Sequence, residues 1–274
     1  MYTSDHIQIA RKTKQKGSNV NIILIGAGNL ATNLGKALFN ANHKILQVYS
    51  RTAESANSLA KILKSEPVTD FSKLRNDADI YILAVKDSVL EEVAEQVVKG
   101  REGRMFVHTA GSMPMSVIHA DRAGVFYPMQ TFSKYKEVDF TVIPCFVEVS
   151  YKPDLIMLKM LASTISDTIY ELNSENRKYL HLSAVFCCNF VNHCYAMGAQ
   201  LLKEHGNLPF SVMLPLIEET ASKLHYLSPK EAQTGPAVRW DENVINKQMD
   251  LLSENPNMKQ IYQLLSQSIH DDQL

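Results

Sequence analysis

The chain has 274 residues, 45% of them hydrophobic and 21% charged, with a formal net charge of -1. That length admits one large domain or two modest ones, and the apolar fraction suffices for a buried core. Without a concentrated basic face, nucleic acid is not expected as a partner. No apolar run reaches the roughly 18 residues of a membrane span, so no membrane partner is expected either.

Residues 1–18 read as a polar leader, with Arg11, Lys12, Lys14 and Lys16 and no signal-peptide core, so a cytoplasmic location is expected. Apolar runs and helical periodicities then alternate. Strands are expected at 20–25, 44–49, 79–85, 105–108, 125–126 and 145–149, and helices at 29–40, 54–63 and 88–98. Continuous apolar strands separated by helices belong to a parallel sheet covered on both faces. Helices are expected at 153–166, 176–204, 211–226, 241–252 and 257–268, with a last strand at 169–172. The fold class is therefore α/β: a Rossmann-type doubly wound, mainly parallel sheet followed by an all-helical C-terminal domain. The expected domains are 19–150 for the sheet and 151–274 for the helices. Cys145, Cys187, Cys188 and Cys194 form no C-x-x-C pair and read as buried free thiols of a reducing compartment, with no metal site.

The most informative segment follows the first strand. Gly26, Ala27, Gly28, Asn29, Leu30 and Ala31 give G-x-G-x-x-A between a strand and a helix. The first glycine permits the tight turn, the second lets a pyrophosphate approach the backbone, and the small third residue lets the helix pack on the sheet. Free N–H groups at the helix start face the phosphates. At the end of the second strand stand Ser50, Arg51 and Thr52, where an NAD site would carry an acid. A guanidinium between two hydroxyls suits the 2′-phosphate of NADP(H). The loops after the third and fourth strands, with Ala84, Val85, Asp87, Thr109 and Gly111, are expected beside the same cofactor.

These stretches, together with residues 124–133, 143–148, 181–190, 214–220 and 234–236, resemble the Rossmann-like NADP oxidoreductases that carry a C-terminal domain of unknown function 2520. These are relatives of pyrroline-5-carboxylate reductase and the deazaflavin-dependent NADP reductases. The resemblance runs from Asn19 to about Leu265. The family often has His where this chain has Tyr127. By resemblance, a polar helix face opposite the nicotinamide implicates His181 and Asn189 as hydrogen-bond donors to a carbonyl or imine, with His181 as general acid. His181, Val185, Asn189, Asn192 and Ala196 recur at helical spacing. Tyr127 and Gln130 are expected to line a substrate cleft, and Thr234 and Arg239 to hold a carboxylate or phosphate. The resemblance also implies a small-molecule substrate and a homodimer through the helical domain. Two readings stay open: hydride transfer between NADP(H) and a small carbonyl or imine, or a non-catalytic NADP(H)-binding regulator. Neither substrate nor direction is legible.

Overall fold

In the computed structural model residues 19–134 and 136–271 are described; the leader at 1–18 lies outside them. β1 (Asn21–Ile25), β2 (Lys44–Tyr49), β3 (Glu66–Val68), β4 (Ile80–Leu83), β5 (Met105–His108), β6 (Ala123–Pro128), β7 (Cys145–Val149) and β8 (Ile169–Glu171) form one sheet. Its order is β3-β2-β1-β4-β5-β6-β7-β8. All neighbours are parallel except β6 and β7, which run antiparallel from Gly124↔Val149 to Pro128↔Cys145. The strand order reverses between β1 and β4, the kind of switch point that opens a crevice at the carboxyl ends of the strands.

β1 shows why the sheet is buried on both sides. Ile22 and Leu24 join one apolar cluster, and Ile23 and Ile25 join another across the sheet. The first cluster holds Ala31, Leu34 and Leu38 of α1 (Asn29–Asn40), Leu59, Ala60 and Leu63 of α2 (Ala53–Leu63), and Leu158 and Leu161 of α4 (Asp154–Ser163). The second holds Leu90, Ala94 and Val97 of α3 (Leu90–Val98). Each fully buried Leu or Ile contributes roughly 1.5–3 kcal/mol. α1 lies close: a Cβ on Gly35 would stand 2.9 Å from Leu63 and 3.0 Å from Leu24.

The sheet extends past residue 150 to β8. Then come α5 (Ser174–Ala184), a π-helical turn (Val185–Phe190), α6 (Val191–His205), α7 (Leu214–Lys223), α8 (Glu242–Leu251) and α9 (Pro256–Asp271). Two compact units meet between Cys188 and Asn189. Within the second, the 3-10 turn Ala237–Arg239 packs on α9, and Trp240, at φ 49°, sets its ring 4.9 Å from His270.

Two expectations are corrected here. The single helix at 176–204 is interrupted by the π turn. Its wider winding breaks the constant helical spacing that would put His181 and Asn192 on one face. Of the four free cysteines only Cys145 is buried; Cys187, Cys188 and Cys194 are exposed. An apolar helix reads as buried from its sequence, yet this one leaves Leu182, Phe186 and Phe190 about half exposed or more.

Candidate functional site

At the end of β1 the backbone turns at Gly26, with φ +122°. A Cβ there would sit 2.3 Å from the Ala84 carbonyl oxygen, so β1 and the end of β4 touch only because residue 26 is glycine. Gly28 is the N-cap of α1, makes no side-chain cap, and has no atom within 4 Å of where a Cβ would be. No acidic residue stands in the first turn of α1. This helix start is thus an open concavity of N–H groups with the positive end of the helix dipole behind it.

One strand over, β2 ends in Tyr49, whose ring stacks on Phe71 at 4.1 Å. Ser50, Arg51 and Thr52 follow. Thr52 caps α2, its hydroxyl accepting from Ser55 N at 3.4 Å. Arg51 is exposed and makes no ion pair among the described residues. Its charge lies near enough to Tyr49 to oppose the upward push of burial on that phenol.

A second group of polar side chains gathers at the ends of β5 and β6. Tyr127, near the end of β6, is 8% exposed and its hydroxyl lies 3.2 Å from Nδ1 of His181 on α5. Their rings meet edge-on with centroids 6.2 Å apart. Beneath them runs the loop after β5. A Cβ on Gly111 would fall 2.5 Å from His181 Nδ1 and 2.8 Å from Tyr127 Cζ, so only glycine admits this pair. Burial pushes the Tyr127 phenol up, with the Arg177 guanidinium opposing. His181 Nε2 has no hydrogen-bond partner among the described residues.

α5 is held at its start by a buried ion pair. Arg177, with no exposed surface, donates to Glu148 Oε2 of β7 at 2.5 Å, to the Met113 carbonyl at 2.6 Å and to Ser174 Oγ at 3.1 Å. Ser174 donates to Glu148 at 2.7 Å and accepts from Met115 N at 2.9 Å. Arg177 precedes His181 by one turn on α5, so this clamp sets where His181 stands over Gly111. His108, fully buried at the end of β5, accepts from Ala110 N on Nδ1 and faces the Pro114 carbonyl with Nε2. Burial, then Arg177, pushes it down to about 4, so it is neutral.

Residues 21–111 match the family described as NADP oxidoreductase, coenzyme F420-dependent, and residues 143–269 match the domain of unknown function DUF2520. The crystal structure of "putative NADP oxidoreductase BF3122 from Bacteroides fragilis" superposes with a TM-score of 0.88 at 55% identity, covering 92% of this chain and 98% of that one. The chain belongs to this NADP oxidoreductase family. The family's cofactor is NADP(H). A pyrroline-5-carboxylate reductase from Coxiella burnetii shares the fold, with a TM-score of 0.56 at 15% identity over 93% of this chain and 98% of that one. Glutamyl-tRNA reductase of Methanococcus maripaludis is 44% identical over 70 residues, and this match covers 24% of the chain and 18% of that relative.

The N-terminal half fits the cofactor of the NADP oxidoreductase family: Gly28 leaves open space where a diphosphate would approach, and the helix behind it carries no acid to repel one. The remaining expected residues are distributed as follows. Asp87 bonds to the Ser112 hydroxyl, tying the loops after β4 and β5. Thr109 is buried and bonds back to the Leu83 carbonyl through N and Oγ1, which makes it a strand-joining residue here. Gln130 is exposed and accepts from Thr131 N at 2.8 Å. Asn189, in the π turn, and Thr234 and Arg239 are exposed and belong to the second unit. Sequence reasoning missed Arg177, Glu148 and Ser174 as a group. The available signal was an acid inside the apolar strand Cys-Phe-Val-Glu-Val and an arginine one helical turn before His181.

Proposed function

We propose that this protein is an NADP(H)-dependent oxidoreductase acting on a small carbonyl or imine substrate, with its reacting centre at Tyr127 and His181. The observation that carries the reading is a single edge of the sheet. The open glycine turn after β1, Arg51 after β2 and the Tyr127–His181 pair at the end of β6 all stand at the carboxyl ends of parallel strands. Bound there, the nicotinamide supplies or accepts a hydride.

The chain's own residues then have separate tasks. Gly26, Ala27, Gly28, Asn29, Leu30 and Ala31 receive the diphosphate on backbone N–H groups. Ser50, Arg51 and Thr52 take the 2′-phosphate. Ala84, Val85, Asp87, Thr109 and Gly111 form the wall at the ends of β4 and β5. His181 offers Nε2 to the substrate heteroatom, and Tyr127 backs it. Asn189 is a second candidate donor, Gln130 a substrate contact, and Thr234 with Arg239 a holder for an acidic group on the substrate. A free imidazole nitrogen at this edge favours catalysis over a purely regulatory role.

Two wider readings accompany the reaction. A homodimer through the helical unit is supported by the apolar surface that unit leaves uncovered. A reducing, cytoplasmic setting is supported by three exposed free thiols.

The test is titration with NADPH and NADH, repeated on Arg51→Ala. NADPH binding is expected to weaken about tenfold or more in the variant, the loss of one charge-assisted contact, with NADH hardly affected. Failure of either nucleotide to bind the wild-type protein overturns the reading.

A further inference from the structure

We infer that Tyr127 is a positioning residue that fixes His181 in the tautomer carrying its proton on Nε2, so that the outward nitrogen is a standing hydrogen-bond donor to an oxygen or nitrogen of the substrate. The identity of that acceptor rests on the proposed function; the tautomer does not.

The argument is one of counting protons. Tyr127 has one hydroxyl proton, and burial keeps it there through neutral pH. The hydroxyl lies 3.2 Å from Nδ1 and has no other acceptor among the described residues. A buried hydroxyl without an acceptor costs roughly 1–3 kcal/mol, so the phenol donates to Nδ1. A neutral imidazole that accepts on one nitrogen bears its hydrogen on the other. The groups around the pair support this assignment. Arg177 pushes the phenol down while Asp87 and Cys188 push it up, and the Arg177 charge is balanced by Glu148 at 2.5 Å. Gly111 below offers no side chain to compete for Nδ1. A neutral imidazole held this way polarises a carbonyl without delivering a full charge.

The test uses the full chain labelled with nitrogen-15 in histidine, without cofactor. Long-range proton–nitrogen spectra are recorded above the ordinary imidazole pKa of about 6.5, with the His181 signals assigned by their loss in His181→Gln. The expected result is Nε2 protonated and Nδ1 bare in the wild type, and a mixture of both tautomers in Tyr127→Phe. That variant keeps the ring that packs 6.3 Å from Phe146. A proton on Nδ1 in the wild type overturns the inference, as does an unchanged tautomer in Tyr127→Phe. The wild-type spectrum decides even where the variant folds poorly. Since no nucleotide is present, the outcome is independent of the NADPH titration.

Discussion

His108 shows how far burial, helped by the Arg177 charge, can move a titratable group in this sheet. It sits at the end of β5 with both nitrogens engaged by the loop that carries Gly111. Its folded pKa of about 4 lies below the unfolded value near 6.5. Protons therefore bind the unfolded chain more tightly. The stabilisation is complete above about pH 6.5 and is lost as pH falls toward 4. The shift corresponds to a term on the order of 3 kcal/mol. Urea unfolding of the wild type and His108→Gln at pH 7.5 and pH 5 checks this. The wild type should lose more stability between the two conditions than the variant, whose absolute stability is lower at pH 7.5. His43, also pushed down by burial, is present in both proteins and cancels. Equal losses in the two proteins would refute the assignment.

At the scale of elements, the segment after β6 is tied to the helix that follows the glycine turn. Asn29 donates to the Phe132 carbonyl at 3.1 Å, and Asn33 donates to the carbonyls of Ser133 at 3.0 Å and Asn29 at 2.9 Å. Asn33 is 6% exposed, so Asn33→Ala removes two hydrogen bonds made by a buried side chain, each worth about 0.5–1.5 kcal/mol. We expect a loss of about 1–3 kcal/mol in chemical denaturation, with the variant still folded at 25 °C; a loss below about 0.5 kcal/mol would show the tie to be dispensable.

The sequence announces α1 through its glycine turn, β1, β4 and β5 through apolar runs, and β2 and β7 through runs broken only by Gln47 and Glu148, because those signals are local. It hides β3, where Glu-Pro-Val on the sheet edge has neither alternation nor length. The π turn is hidden too, since Val-Phe-Cys-Cys-Asn-Phe carries no breaker residue. Of the candidate site, the glycine turn after β1 was legible for the same local reason. The clamp of Arg177 on Glu148 was not, because its partners lie 29 residues apart and meet only when α5 crosses the end of β7.

The two units of the molecule differ in how they satisfy their apolar residues. The first closes two clusters around the sheet. Among its described hydrophobic residues, the second buries Ala237, Ile245, Leu252 and Met258, and leaves Leu208, Val212, Leu214, Leu216, Leu224, Tyr226, Leu251, Leu264 and Leu265 exposed. A monomer that exposes so much aliphatic surface on its helices is prone to association. A second copy is the simplest cover, because closed two-fold dimers dominate among soluble assemblies. Light scattering at micromolar concentration should then give twice the mass of one chain, and the melting temperature should rise with concentration. Leu216 and Leu264 are 63% and 62% exposed. In a monomer, Glu at either position would change stability by no more than about 0.5 kcal/mol. In a dimer that covers them, it buries an unpaired carboxylate, which costs several kcal/mol of association. Leu216→Glu and Leu264→Glu are therefore expected to shift the protein to a monomer and to remove the concentration dependence of melting. A wild-type chain that scatters as a monomer would refute the assembly and leave the exposed leucines to some other partner.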